Sequence, residues 1–135
     1  MKLSAIILGV LALTLVALLV VFRVAPSDPD RWHEMPENVS DRDLDGGAMR
    51  SVEGDLAALD RIIRDTPRTQ VLAGSVDEGM ITYVTRSRVF GFPDYTTVRQ
   101  AGDTLEIYGR LRFGRSDMGV NAARIDGWLR QLQPG

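Results

Sequence analysis

Two short stretches carry most of the chain's chemical potential, Arg86-Ser87-Arg88 and Arg110-Leu111-Arg112, the second followed closely by Arg115. A guanidinium is a planar fork of donors that grips a carboxylate or phosphate in bidentate fashion. On a strand, residues two apart point to the same side, so each stretch would present both its arginines on one face. Ser116 and Asp117 stand at a helix start, where free N–H groups favour an anion beside Arg115. An anionic ligand held by Arg86, Arg88, Arg110, Arg112 and Arg115, with Asp94, Ser116, Asp117, Asn121 and Arg124 in support, is therefore the sharpest chemical reading. The plainer alternative is structural. Asp94 or Asp117 could fold over Arg86, Arg88 or Arg112, Ser116 and Asp117 could serve only as helix caps, and Asn121 and Arg124 could tie the last helix to the Phe92-Pro93-Asp94 loop.

Other chemistries fare worse. Ser116, Asp117, Asp94 and Tyr83 have the groups of nucleophiles or acid–base catalysts, but the folded region has neither histidine nor lysine to act as a base. No catalytic motif spacing occurs, so a non-enzymatic role is expected, with a small hydrolase the remotest option. With no cysteine and one histidine, His33, thiolate and multi-histidine metal sites are excluded and no cofactor is expected. Asp41, Asp43, Asp45 and Gly46 spell D-x-D-x-D-G, the opening of a calcium loop. Its twelfth position is Val52, with Glu53 one residue out of register. A solvated acidic run is the favoured reading and a weak calcium site its alternative.

The elements that must position these groups follow from periodicity. Residues 3–22 form an uncharged apolar run, about 30 Å long as a helix, which is the thickness of a bilayer core. That run is longer than the apolar region of a cleaved signal peptide, so residues 1–24 read as a single-pass anchor. Lys2 before the span, with Arg23 and Arg31 after it, leaves orientation open by charge count. The short Met-Lys start looks like a signal anchor and favours a domain outside the cytoplasm. Residues 25–50 hold three prolines, seven acids and three arginines and read as an acidic linker. In it, Trp32 could dip to the membrane interface or cover an edge of the domain, and His33 reads as solvated.

The soluble domain spans 51–135 in this reading. Ser51 caps a helix to about residue 65 with Leu56, Leu59, Ile62 and Ile63 inward; strands follow at 69–73, 80–90, 95–101 and 104–113. Ser116 caps a last helix with Met118, Ala122, Ile125, Trp128, Leu129 and Leu132 as its stripe, ended by Pro134 and Gly135. The order αββββα implies an α+β fold: a transmembrane helix, then two layers, a mainly antiparallel four-stranded sheet with both helices on one face. A two-residue turn at Gly102-Asp103 pairs Arg99 with Glu106, Val98 with Ile107 and Thr97 with Tyr108. A four-residue loop at 91–94 would set Arg86 opposite Arg99 and Arg88 opposite Thr97, with Ile81, Tyr83 and Val89 in the core. The helix-free face then collects the arginines.

Composition sets the frame. The 135 residues allow one domain of ordinary size, and sixteen basic against eighteen acidic residues leave a net charge of −2, which argues against nucleic acid as a partner.

The segments Arg86-Ser87-Arg88-Val89-Phe90-Gly91-Phe92-Pro93-Asp94 and Gly114-Arg115-Ser116-Asp117-Met118-Gly119-Val120-Asn121, with Arg124-Ile125, resemble the domain of unknown function 1499 family. Many relatives carry a Pro-Asn-Cys-Val-Ser stretch upstream. Only Pro36-Glu37-Asn38-Val39-Ser40 echoes it here, without the cysteine, so no role transfers. The resemblance implies a small α+β domain, often behind a membrane anchor, in bacteria and plastids, and no established activity; with the anchor reading it makes a bacterial inner membrane, with the domain facing the periplasm, the expected location. Two partners fit a tethered arginine face: an anionic small molecule, polymer or lipid headgroup of the envelope, or a membrane protein complex that the chain joins as an accessory subunit.

Overall fold

In a computed structural model, residues 1–133 are described; the expected Pro134–Gly135 stop lies outside them. Uninterrupted apolar sequence makes helix α1 (Lys2–Val24), long and apolar enough to cross a membrane and with none of its residues buried. A single turn, α2 (Pro29–Trp32), follows, its start held by Asp28, whose Oδ1 accepts from the Asp30 N–H at 3.0 Å.

The sheet has six strands rather than four: β1 (Arg42–Leu44), β2 (Gly47–Glu53), β3 (Thr69–Ser75), β4 (Met80–Arg86), β5 (Pro93–Ala101) and β6 (Thr104–Leu111). Their order is β1-β2-β6-β5-β4-β3, antiparallel throughout. The two additional strands come from the segment read as linker and from the expected start of the first domain helix. Asp45-Gly46 is a two-residue hairpin turn joining Leu44 to Gly47, and β2 then pairs with β6 from Arg110 to Thr104. Gly47 has no room for a side chain, since a Cβ would lie 2.0 Å from the Gly109 carbonyl oxygen. Ser51 is accordingly a strand residue opposite Glu106, not a cap. Helix α3 (Leu56–Arg64) starts later, capped by Asp55, which accepts from Ala58 N–H at 3.0 Å.

Helix α4 (Val120–Leu132) also starts later than Ser116. Gly119, at φ 78°, is its cap residue, and Met118 is an exposed turn residue rather than part of the apolar stripe. Asp117, upstream of the helix, accepts from the Gly119 and Asn121 N–H groups at 3.0 and 2.9 Å. The carboxylate reaches the free N–H groups from outside the helix, so the chain has no need to turn helical at Ser116.

Alternation settles which side each residue faces. Ile81, Tyr83, Val98, Leu105 and Ile107 point to one face and pack with Leu56, Leu59 and Ile63 of α3 and Ala122, Ile125 and Trp128 of α4 in a common core. The turn at Gly102-Asp103 gives the expected pairs Arg99–Glu106, Val98–Ile107 and Thr97–Tyr108. The β4–β5 connection differs. Arg86 lies opposite Pro93 and Met80 opposite Arg99, so the loop runs over 87–92 and both Arg88 and Val89 leave the sheet. Val89 is exposed, not core.

The opposite face is also covered. Residues 25–36, expected to be an extended tether, lie across it as a strap: Trp32 stacks on Tyr95 at 4.0 Å, Ser27 Oγ and the Tyr95 hydroxyl meet at 2.7 Å, and His33 Nδ1 pairs with Thr82 Oγ1 at 2.8 Å. Tyr95 is fully buried as a result.

Candidate anion pocket at the α1 end of the sheet

The strap determines what the sheet arginines do. Arg86 donates to the carbonyl oxygens of Phe22, Ala25 and Gly91 at 3.1, 3.1 and 3.0 Å. Arg110 lies between the rings of Trp32 and Tyr108 and donates to Thr97 Oγ1 at 2.8 Å, to the Tyr108 carbonyl at 3.1 Å and to the Trp32 carbonyl. Burial disfavours its charged form and holds its pKa below the ordinary arginine value. Arg112 donates to the Pro26 carbonyl at 2.7 Å and the Tyr95 hydroxyl at 3.1 Å. Arg99 pairs with Glu106 at 2.6 Å, as its register implies, and reaches the Pro36 carbonyl. Arginines that looked like an open recognition face therefore hold down the chain's own strap. Backbone carbonyls satisfy their donors without cancelling their charge.

The supporting motif residues gather on the other side of the sheet. Asp94 accepts from Arg124 at 3.2 Å and from Asn121 Nδ2 at 3.4 Å; Asn121 Oδ1 accepts from Arg124 at 3.0 Å; Asp117 accepts from Asn121 Nδ2 at 2.9 Å. Burial pushes the Asp94 carboxyl up, and Arg124 pulls it partly back. The network fastens the start of α4 to β5, and neither Asp94 nor Asp117 folds over Arg86, Arg88 or Arg112. Gly109 lets α4 come close: a Cβ there would meet Ile125 Cδ1 at 2.9 Å. Ser116 Oγ accepts from Met118 N–H at 3.2 Å, and exposed Arg115 stands apart from the other arginines' hydrogen bonds. With Asp117 occupying the N–H groups before α4, no free helix start remains beside Arg115.

The three aspartates of the acidic run diverge. Asp41 accepts from Ser51 N–H at 2.9 Å, Asp43 pairs with Arg50 at 2.8 Å, and the Asp45 carbonyl accepts from Asp117 N–H at 3.0 Å. They belong to a hairpin rather than a calcium loop, and no group of three or more metal-ligating side chains occurs among the described residues.

One cavity concentrates arginines. About 240 Å³ in volume, it is lined by Arg23, Arg68, Gln70, Val84, Arg86, Ser87, Arg88 and Gly91. Four guanidinium-bearing residues and no carboxylate line it. Among the described residues, the salt bridges are those of Arg50, Arg64, Arg99 and Arg124, so none of the pocket's four arginines is neutralised. Arg23, in the last turn of α1, donates to the Val89 carbonyl at 2.6 Å. Arg68, at φ 58°, donates from Nε to the Arg86 carbonyl at 3.1 Å, while Arg86 N–H donates to the Arg68 carbonyl at 2.9 Å. Gly91 at φ 70° shapes the loop, and a Cβ there would sit 3.2 Å from Arg23 Cγ. Arg88 projects from the loop and is exposed.

Arg86 and Arg88 were legible in the sequence as members of such a site. Arg23 and Arg68 were not, because the first abuts the apolar run and the second precedes β3 by one residue. Only the antiparallel pairing of β3 with β4, and the packing of Phe22 against Phe92 and Phe113 at 5.0 and 4.8 Å, bring them to Arg86. A larger groove of about 620 Å³ at the other end is lined by Glu53, Asp55 and Asp103 among others. There Gln100 is engaged with Leu56 N–H and the Gly54 carbonyl, and Asp55 with its helix.

An apolar N-terminal helix followed by a six-stranded antiparallel sheet backed by two helices defines an α+β protein with an arginine pocket where helix and sheet meet. The chain belongs to the DUF1499 family, described as proteins of unknown function, whose model matches residues 22–132. Comparison with curated proteins and with solved structures found no match. The matched region opens at Phe22, the residue through which α1 packs on the domain.

Proposed function

We propose that this protein is a membrane-anchored, non-enzymatic binding module that captures an anionic group in the pocket of Arg23, Arg68, Arg86 and Arg88. The observation that carries the reading is the gathering of four guanidinium groups around one cavity without a lining carboxylate. Like charges so placed repel one another, and a bound anion relieves that repulsion while accepting paired N–H donors.

The anchor reading has its own support. Phe22 and Arg23 pack on the domain, and Arg86 holds the carbonyls of both Phe22 and Ala25. Cleavage near residue 24 would remove part of the pocket and its scaffold. In this reading the domain lies outside the cytoplasm, as the short Met1-Lys2 start favours, which at a bacterial inner membrane is the periplasm. The non-enzymatic part is supported by the engagement of the possible catalytic groups: Asp94 with Arg124, Ser116 with its own turn, and Tyr83 with Asp60.

The test is calorimetric titration of the full chain, in micelles of an uncharged detergent, with inorganic pyrophosphate. Wild type binds, and added salt weakens binding because the arginines are largely exposed. Arg68→Ala and Arg88→Ala each lower affinity by about tenfold, the value of one charge-assisted contact, and leave the melting temperature nearly unchanged. Absence of binding by wild type, or wild-type affinity in both variants, overturns the reading.

A further inference from the structure

We infer that the α1 end of the domain is seated in the bilayer, with Val89 and Phe90 at the boundary of headgroups and acyl chains and the phosphodiester of a leaflet phospholipid in the arginine pocket. This rests on the anchored, anion-binding reading above and names its ligand class.

The first support is where apolar surface is left uncovered. Beyond α1 and Met1, the strongly exposed large apolar side chains among the described residues are Val76, Val89, Phe90, Met118 and Val120. Val76 lies in the β3–β4 turn at the far end of the sheet. The other four lie in loops or at the helix start at the end where β4 and β6 finish, beside the last turn of α1. Val89 is 69% and Phe90 46% exposed, adjacent at the tip of the 87–92 loop. In water that exposure is unfavourable; at a membrane boundary it is an anchor.

The second is depth. Helix α1 has 23 residues, about 35 Å, slightly more than a hydrocarbon core of about 30 Å. Arg23 in its final turn therefore stands at headgroup level, where arginine is favoured. Its guanidinium donates to the Val89 carbonyl at 2.6 Å, which fixes the loop tip within one side chain of that level. A continuous aromatic row links helix to loop: Phe22 against Phe92, and Phe92 stacked on Phe90 at 5.3 Å. A domain held this closely at the helix end has no slack with which to stand off the surface.

Charge is arranged to match. Arg23, Arg68, Arg86, Arg88, Arg112 and Arg115 occupy the α1 end, where they outnumber Asp45, Asp65, Asp94 and Asp117, whereas Glu53, Asp55, Asp77, Glu78 and Asp103 occupy the other. The field of an anionic leaflet attracts the first set and repels the second, orienting the domain with its pocket against the headgroups. A phosphodiester there meets Arg68 and Arg88 from the exposed side of the pocket, while Arg86 supplies charge from behind its carbonyl partners.

The absence of cysteine makes the test direct. Single nitroxide labels at Val89→Cys, Phe90→Cys and, as the far-end reference, Val76→Cys are placed in the full chain, reconstituted in vesicles of phosphatidylcholine and phosphatidylglycerol. Collisions with oxygen, which concentrates in lipid, and with a water-soluble nickel chelate are compared. Seating gives oxygen-dominated collisions at 89 and 90 and nickel-dominated collisions at 76; nickel dominance at all three overturns it, whatever the pocket binds. Native mass spectrometry of the chain taken from the same vesicles reads the ligand. Retained phosphatidylglycerol that falls about tenfold in the Arg68→Gln/Arg88→Gln double variant supports the headgroup assignment. Retention of inorganic phosphate alone overturns that assignment and leaves the anion reading intact. Lipid retention unchanged in the double variant overturns the assignment too, and pyrophosphate titration of the same variant then shows whether the pocket reading falls with it.

Discussion

Tyr83 shows how one buried hydroxyl ties two elements together. Its side chain is fully buried on the helix face and donates to Asp60 Oδ1 at 2.7 Å, while Asp60 also pairs with Arg64 at 2.9 Å. Burial first, and then the hydrogen bond to Asp60, push the phenol well above its ordinary pKa. The unfolded chain would ionise near pH 10 while the folded one stays neutral. Stability from this group is therefore complete below about pH 10 and drains away as pH rises through and beyond that point. In urea titrations followed by tryptophan fluorescence, Tyr83→Phe costs about 1–2 kcal/mol at neutral pH. The variant also loses less stability than wild type between about pH 9 and 11. An equal alkaline slope in the two proteins would show that Tyr83 is not the titrating group. The same burial removes Tyr83 from the set of candidate acid–base residues.

At the scale of elements, the β1–β2 hairpin and the strap are the informative pieces. Asp45-Gly46 carried two messages, the end of an acidic alternation and a tight turn, and the turn is the one the chain obeys. Strand β2 has only a weak alternation, Ala48 and Val52 facing the helices with Arg50 between them, and Arg50 is accommodated by Asp126 of α4 and Asp43 of β1 at 2.8 Å each. Those acids lie 76 and 7 residues away, and no local pattern announces the more distant one. Because the Gly47 Cα lies against the Gly109 carbonyl, Gly47→Ala cannot be absorbed by a side-chain shift. The expected loss is about 3 kcal/mol or more by urea denaturation, with faster hydrogen exchange concentrated in β1 and β2. A variant as stable as wild type would mean that β2 is dispensable to the sheet.

For the whole molecule, the strap turns a two-layer domain into a sheet covered on both faces and coupled to the α1 end. A chain beginning at Phe22 keeps every strap contact, including Trp32 on Tyr95 and the carbonyls held by Arg86, Arg110 and Arg112. A chain beginning after Pro36 uncovers Tyr95, now fully buried, and leaves the Arg110 guanidinium without two of its partners. The first is expected to unfold cooperatively with a melting temperature close to that of the full-length domain. The second should melt at least about 8 °C lower, on the scale of 2 kcal/mol in a domain of this size, and bind a hydrophobic dye. Equal melting temperatures would make the strap an ornament of the fold rather than a layer of it.

Local patterns alone determined the apolar helix, the Gly102-Asp103 hairpin with its register, the core stripes of Leu56, Leu59 and Ile63 and of Ala122, Ile125 and Trp128, and the family to which the chain belongs. These features depend on neighbours within a few residues, whose backbone periodicity is readable from residue type. Tertiary structure decided where residues 25–53 go and which arginines remain unneutralised. Carbonyls of the strap take the donors of Arg86, Arg110 and Arg112, and tertiary packing brings Arg23 to the Val89 carbonyl across 66 residues and Arg68 to the Arg86 carbonyl across 18. Hydrogen bonds to a backbone carbonyl do not depend on which residue carries it, so nothing in the composition of the strap could mark it as the partner of the arginine face.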